Sequence, residues 1–249
     1  METVKQIPYG VADFESVINQ NMYYVDKTMY LAELEKQPRT LIFIRPRRFG
    51  KSLFISMMRA YYDKSKADRF DKLFGSLWVG SHPTPLRNHY QVLYLDFSRI
   101  GGNIDVLEKE FDSYCCIQLN DFIDTYRNDY PKEMVDEFLR AENATRKLNI
   151  LLNMSRKYDQ PLYLIIDEYD NFTNVVLSEH GEAIYHNMTH AAGFYREVFK
   201  KFKGMFERIF LTGVSPVTLD DLTSRFNIGW NVSMAPELDK MLGFSTDDV

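Results

Sequence analysis

Gly50-Lys51-Ser52 closes the run Leu41-Ile-Phe-Ile-Arg-Pro-Arg-Arg-Phe-Gly-Lys-Ser52, a combination suited to holding a chain of phosphates. In the pattern G-x-x-x-x-G-K-[ST], successive backbone N–H groups wrap the phosphates, and the second glycine lets the chain approach closely. Lys51 would then neutralise the β- and γ-oxygens, and the Ser52 hydroxyl would ligate Mg²⁺. The amides from Arg47 through Arg48, Phe49 and Gly50 to Leu53 form the cradle. A helix starting at Lys51 adds its positive end to the same anion. The loop departs from the pattern at its start, where Arg45 occupies the first glycine position and Pro46 brings no N–H donor. One or more of Arg45, Arg47 and Arg48 is expected to face phosphate, the others to pair with acidic side chains or a partner. By chance the tripeptide would occur roughly 0.1 times in a chain of this length, so its setting has to decide.

The setting agrees. Leu41 to Ile44 reads as a buried strand, and Ser52 to Tyr62 as a helix apolar almost all round, as expected beneath a sheet. Further on, Pro161-Leu-Tyr-Leu-Ile-Ile-Asp167-Glu168 is an apolar strand ending in two adjacent carboxylates, the Walker B form. Asp167 would hold the Mg²⁺ hydration shell opposite Ser52, and Glu168 would polarise the attacking water. Neighbouring strand residues point to opposite faces, so two roles at consecutive positions fit only where the chain is leaving the sheet. A third strand, Arg208-Ile-Phe-Leu-Thr-Gly-Val-Ser215, ends on Thr212 and Ser215. A polar residue there either touches the γ-phosphate or attacking water, or simply belongs to a turn built from Gly213, Ser215 and Pro216.

The elements that must position these groups alternate. Residues 13 to 36 are expected to give two short helices, N-capped by Asp13 and Asp26. After the first strand and helix come a strand at Val92 to Phe97, helical segments over 104 to 158 and the strand ending at Asp167. A helix over 183 to 203 closed by Gly204, the strand at 208 to 213 and a short strand at Asn231 to Met234 complete the order. Strands alternating with helices predict an α/β fold of three layers, with a mainly parallel central sheet of about five strands and ligands at the strands' carboxyl ends.

With these elements in place the chain resembles the AAA-ATPase-like proteins of bacteria, in a motif style close to the archaeal-type ATPases of the wider AAA and STAND group. The resemblance rests on Ile7 to Phe14, Tyr24-Val-Asp-Lys-Thr28, Arg45-Pro-Arg-Arg-Phe-Gly-Lys-Ser-Leu53, Leu164-Ile-Ile-Asp-Glu-Tyr-Asp170, Leu211-Thr-Gly-Val-Ser-Pro216 and Phe226-Asn-Ile228. It implies a P-loop fold, ATP as the nucleotide, and arginine as the usual residue at the position of Arg45. It also implies a base pocket near Tyr24 to Thr28. Members of that family commonly carry a C-terminal domain similar to PD-(D/E)xK nucleases, and nucleic acid would be reached only through such a domain. The chain is accordingly divided into a helical segment at 1–36, a nucleotide-binding core at 37–236 and the start of an extension at 237–249. Ser245 or Thr246, followed by Asp247 and Asp248, reads as a helix start, so a further C-terminal part is expected beyond Val249.

Composition adds bounds. With 249 residues, 45% hydrophobic and 26% charged, the chain reads as one ordinary globular domain without linker or repeat. It has no apolar stretch near the roughly 20 residues of a membrane span and no signal-peptide core, so the cytoplasm is the expected location. Cys115 and Cys116 are adjacent on a helix, a poor arrangement for a disulfide or a metal. His186 and His190 have helical spacing, but Asn187 stands where a zinc protease needs Glu, so they are read as solvent-facing. Arg196, Lys200, Lys201 and Lys203 complement a helix C-terminus in a chain of net charge −5. The expectation is an ATP-binding, Mg²⁺-dependent ATPase module serving a partner domain. The alternative is a nucleotide-dependent switch with negligible turnover. Arg225 is the one arginine-finger candidate, with a salt bridge its competing role.

Overall fold

The computed structural model describes residues 5–100, 106–189, 194–215 and 229–244. Five strands form one sheet in the order β2-β3-β4-β1-β5, every pair parallel: β1 Thr40–Ile44, β2 Gln91–Asp96, β3 Leu162–Asp167, β4 Arg208–Gly213 and β5 Trp230–Asn231. The strand bearing Thr212 therefore lies between the strand that feeds the loop of residues 45 to 50 and the strand that ends in Asp167. Because side chains alternate across a strand, β1 to β4 each supply both cores, while the two residues of β5 are exposed. Leu41 and Phe43 of β1, with Tyr163 and Ile165 of β3, pack on one face beneath α1 (Phe14–Asn19), α2 (Met29–Lys36) and α3 (Lys51–Tyr62). Ile42, Leu164 and Ile166 face the other way, under α6 (Leu107–Thr125), α7 (Lys132–Arg140), α8 (Ala144–Lys157) and α11 (Phe194–Met205). All six residues of β3 and of β4 are buried, as expected of central strands covered on both faces.

Local chemistry explains most element ends. Asp13 caps α1, accepting from the Ser16 N–H at 2.8 Å. Asp26 does not cap α2: its carboxylate accepts from the N–H and hydroxyl of Thr28 at 2.8 and 2.7 Å, and from the N–H of Trp78 at 2.6 Å. It ties the entry of α2 to α5 (Trp78–Ser81), which follows α4 (Phe70–Phe74). The helix expected over 183 to 203 is two elements, α10 (Glu182–Thr189) and α11, preceded by an unforeseen α9 (Asn171–His180). Gly204 does not close α11, which continues to Met205 with Gly204 outside the left-handed region; its carbonyl accepts from Arg156 at 3.1 Å. Lys201 of that helix donates to Asn149 at 3.3 Å. His186 pairs with Glu182 at 3.2 Å, while His190, Arg225 and the expected helix start at Ser245 lie outside the described residues. Cys115 is buried and Cys116 half-buried, both as free thiols raised by burial and by Asp112, Cys116 to about 11. No helix among the described residues is long and apolar enough to cross a membrane.

Candidate nucleotide site

β1 empties into the loop of residues 45 to 50, which ends on Gly50 at φ 87°, a left-handed conformation that suits glycine. α3 begins at the next residue. Lys51 is only 5% exposed, and its ammonium donates to the carbonyls of Arg45 and Pro46 at 3.0 and 3.2 Å. Its nearest carboxylate is Glu168, 3.6 Å away across the exits of β1 and β3. β3 ends at Asp167, and Glu168 turns out of the sheet at φ 51°. That turn is what lets consecutive carboxylates serve one site from a strand end.

Asp167 is 2% exposed and held by three donors. Its Oδ2 accepts from the Ser52 hydroxyl at 2.7 Å, and its Oδ1 accepts from the Thr212 hydroxyl at 2.6 Å and the Glu168 N–H at 3.0 Å. The helix after β1, the central strand β4 and the exit of β3 thus meet on one carboxylate. A serine hydroxyl beside a carboxylate is a hard-oxygen donor pair of the kind Mg²⁺ takes, so the residues present fit that ion. Glu168 is half-buried, and its carboxyl is raised above the ordinary range by burial, opposed by the Lys51 charge and reinforced by Asp167 and Asp170.

A family model described as "Predicted AAA-ATPase" matches residues 8–223, a span that contains every one of these side chains. The chain belongs to the predicted AAA-ATPase family. The match to this AAA-ATPase family stops short of β5 and of the segment that follows it. Among curated proteins, the "Uncharacterized protein in vnfD 5'region" of Azotobacter chroococcum mcd 1 is 32% identical over 88 residues, 32% of this chain and 16% of that protein. The chain therefore matches only a small part of that relative's length. No solved structure matches.

The remaining candidates from the sequence lie around the loop and the strand exits. The Arg45 side chain turns away from the loop's mouth, donating to the carbonyls of Ile44 and Ser233 at 3.1 and 2.6 Å. It lies 3.7 Å from Asp239 and above the Phe43 ring. Ser233 and Asp239 lie in the segment after β5, which also meets β1 and the loop elsewhere: the Ser233 hydroxyl accepts from the Ile44 N–H, and the Gly243 N–H donates to the Phe49 carbonyl. Arg47, Arg48 and Phe49 are exposed, while Leu53 packs partly against the α3-side core. The Thr212 hydroxyl is buried and donates to Asp167, which orients that carboxylate. The Ser215 N–H donates to Asp170 at 2.5 Å and its carbonyl accepts from the Tyr169 hydroxyl. Within Tyr24 to Thr28, Tyr24 packs edge-on against Phe14 and Thr28 is fully buried, receiving the Val79 N–H. These residues are built into the fold and line neither cleft at the site.

Sequence reasoning missed Asp170. Buried at the start of α9, it accepts from the N–H groups of Val214 and Ser215 and from Asn174, fastening the loop after β4 to the loop after β3. Gly213 permits this approach, because a Cβ there would lie 2.5 Å from Asp170 Oδ1 and from the Tyr169 ring. The Asp-Glu-Tyr-Asp run was visible in the sequence, but its last carboxylate carried no spacing that named a role.

Proposed function

We propose that the chain is an ATP-binding, Mg²⁺-dependent ATPase module that drives or licenses a partner domain. The observation that carries this reading is the meeting of Ser52, Asp167, Lys51 and Glu168 where β1 and β3 leave the sheet, on either side of β4. Lys51 exchanges its two loop carbonyls for the β- and γ-oxygens, and the amides from Arg47 to Leu53 wrap the chain. Ser52 and Asp167 would hold Mg²⁺, which when bound neutralises charge on the phosphoryl oxygens. Glu168 accepts the proton of the attacking water, and its raised carboxyl makes it a better base than an ordinary solvent-exposed glutamate. Thr212 keeps Asp167 in place throughout. The partner's chemistry, nuclease-like by resemblance, is part of the same proposal.

The switch reading draws support from the segment after β5, since Ser233, Asp239 and Gly243 grip the phosphate loop directly. Phosphate release measured with ATP and with GTP, for wild type and Glu168→Gln, separates the two. A hydrolase turns over in the wild type and loses turnover in the variant while keeping ATP affinity. Tight nucleotide binding with no turnover in either protein would leave the switch.

A further inference from the structure

The cleft beside the carboxylates extends well past the place a phosphate loop needs. It has a volume of about 540 Å³, runs along α3, and is walled by the entry of α1 and the exit of β2. Arg59 lies on its floor, seven residues beyond Ser52 on the same helix face, about 10 Å further along the axis. Its guanidinium carbon sits 4.1 Å above the centre of the Tyr94 ring. Stacking on the ring fixes the plane of the group and leaves its N–H edge free to donate.

The carboxylates in the cleft are satisfied, Glu168 by Lys51 at 3.6 Å. Asp13 accepts from Ser16 and Ser56, Asp96 from Ser98 and Arg99, and Asp167 from Ser52, Thr212 and Glu168. The Arg59 guanidinium, by contrast, has no hydrogen bond or ion pair among the described residues, although it is half-buried. A partly exposed guanidinium fixed in plane by a ring has its donors pre-oriented toward the cleft, so an acceptor there is met with little loss of side-chain freedom. Arg47 offers a second exposed guanidinium on the same cleft, at the Glu168 end.

We infer that the far end of this cleft, beyond the Ser52, Asp167 and Glu168 that it shares with the nucleotide site, is a second anion site in which Arg59 receives the phosphoryl or carboxylate group of a small ligand. The planar fork of arginine matches both groups through two parallel N–H donors. The ligand's far end then lies beside Asp167 and Glu168, so occupancy of the cleft is felt where the nucleotide chemistry takes place.

Calorimetric titration of the full chain with inorganic phosphate, and separately with malonate, tests this. Wild type should take up phosphate in two phases, because the phosphate loop binds it as well. Lys51→Ala should keep the cleft phase, and Arg59→Gln should keep only the loop phase, with cleft affinity falling about tenfold or more. Survival of the loop phase in Arg59→Gln shows that the variant is folded. Should that variant lose its fold, Arg59→Lys decides: a weakened cleft phase supports the site and an unchanged one overturns it. Uptake of malonate that depends on Arg59 supports a carboxylate ligand, and uptake of phosphate alone supports a phosphoryl ligand. The site is refuted if Arg59→Gln leaves both phases intact, or if Lys51→Ala alone removes all phosphate binding. Loss of every phase in Arg59→Gln, with Lys51→Ala unchanged, would sink the phosphate-loop reading and leave the cleft standing.

Discussion

Thr212→Val isolates the positioning of Asp167 from the chemistry, because valine keeps nearly the same shape and removes only the hydroxyl. The lost hydrogen bond is 2.6 Å long and ends on a carboxylate, with Thr212 1% and Asp167 2% exposed. Both side chains are almost fully buried, so the range for bonds to charged groups applies, about 2 kcal/mol. For a chain of this size that lowers the melting temperature by roughly 4–8 °C. Asp167 would retain Ser52 and the Glu168 N–H, but Oδ1 would lose its anchor to the central strand. Urea denaturation gives the stability, and calorimetry of ATP binding with and without Mg²⁺ gives the functional part. The expected pattern is a fall in affinity confined to the Mg²⁺-containing titration, with Thr212→Ser restoring both quantities. A valine variant that melts with wild type and binds Mg²⁺-ATP equally well would refute the claim that β4 positions the carboxylate.

Lys51→Ala should weaken triphosphate binding more than tenfold by calorimetry, since it removes a charge-assisted contact worth roughly 1.5–3 kcal/mol. Gly213→Ala forces a Cβ to within 2.5 Å of Asp170 and Tyr169, and should cost about 1–3 kcal/mol in denaturant midpoint while shifting the loop after β4. Glu168 has a raised carboxyl in the folded state, so its contribution to stability is present in acid and is lost as pH rises past the ordinary glutamate range through the raised value. Glu168→Gln should therefore gain stability relative to wild type as pH climbs from acid to neutral, and parallel pH profiles for the two proteins would contradict this.

The parts of the site readable from the sequence are those for which chemistry prescribes both residue type and local spacing. Gly50, Lys51 and Ser52 are contiguous, Asp167 and Glu168 end an apolar run, and the strands that carry them are apolar enough to be recognised singly. What escaped depends on partners far along the chain. The direction of Arg45 is decided by a carbonyl 188 residues away, and Asp170 acquires its role from amides 44 and 45 residues on. Asp26 had the right type for a helix cap but was drawn to the Trp78 N–H, a contact across 52 residues. α9 was missed because Asn171-Phe-Thr-Asn-Val-Val-Leu-Ser178 is poor in strong helix formers, and tertiary packing of Val176 and Leu177 overrides that propensity.

The grip of residues 233 to 243 on the phosphate loop carries a thermodynamic obligation. Ile44, Arg45 and Phe49 are each bonded to that segment, so a rearrangement of the loop around phosphates changes the free energy of the segment's contacts as well. Coupling of this kind is reciprocal. If nucleotide rearranges the loop, a load on residues 233 to 243 alters nucleotide affinity by the same factor by which nucleotide alters the tolerance for that load. The phosphate loop is in that sense a gauge of what happens on the far side of β5, read out in the strength of its hold on a small molecule.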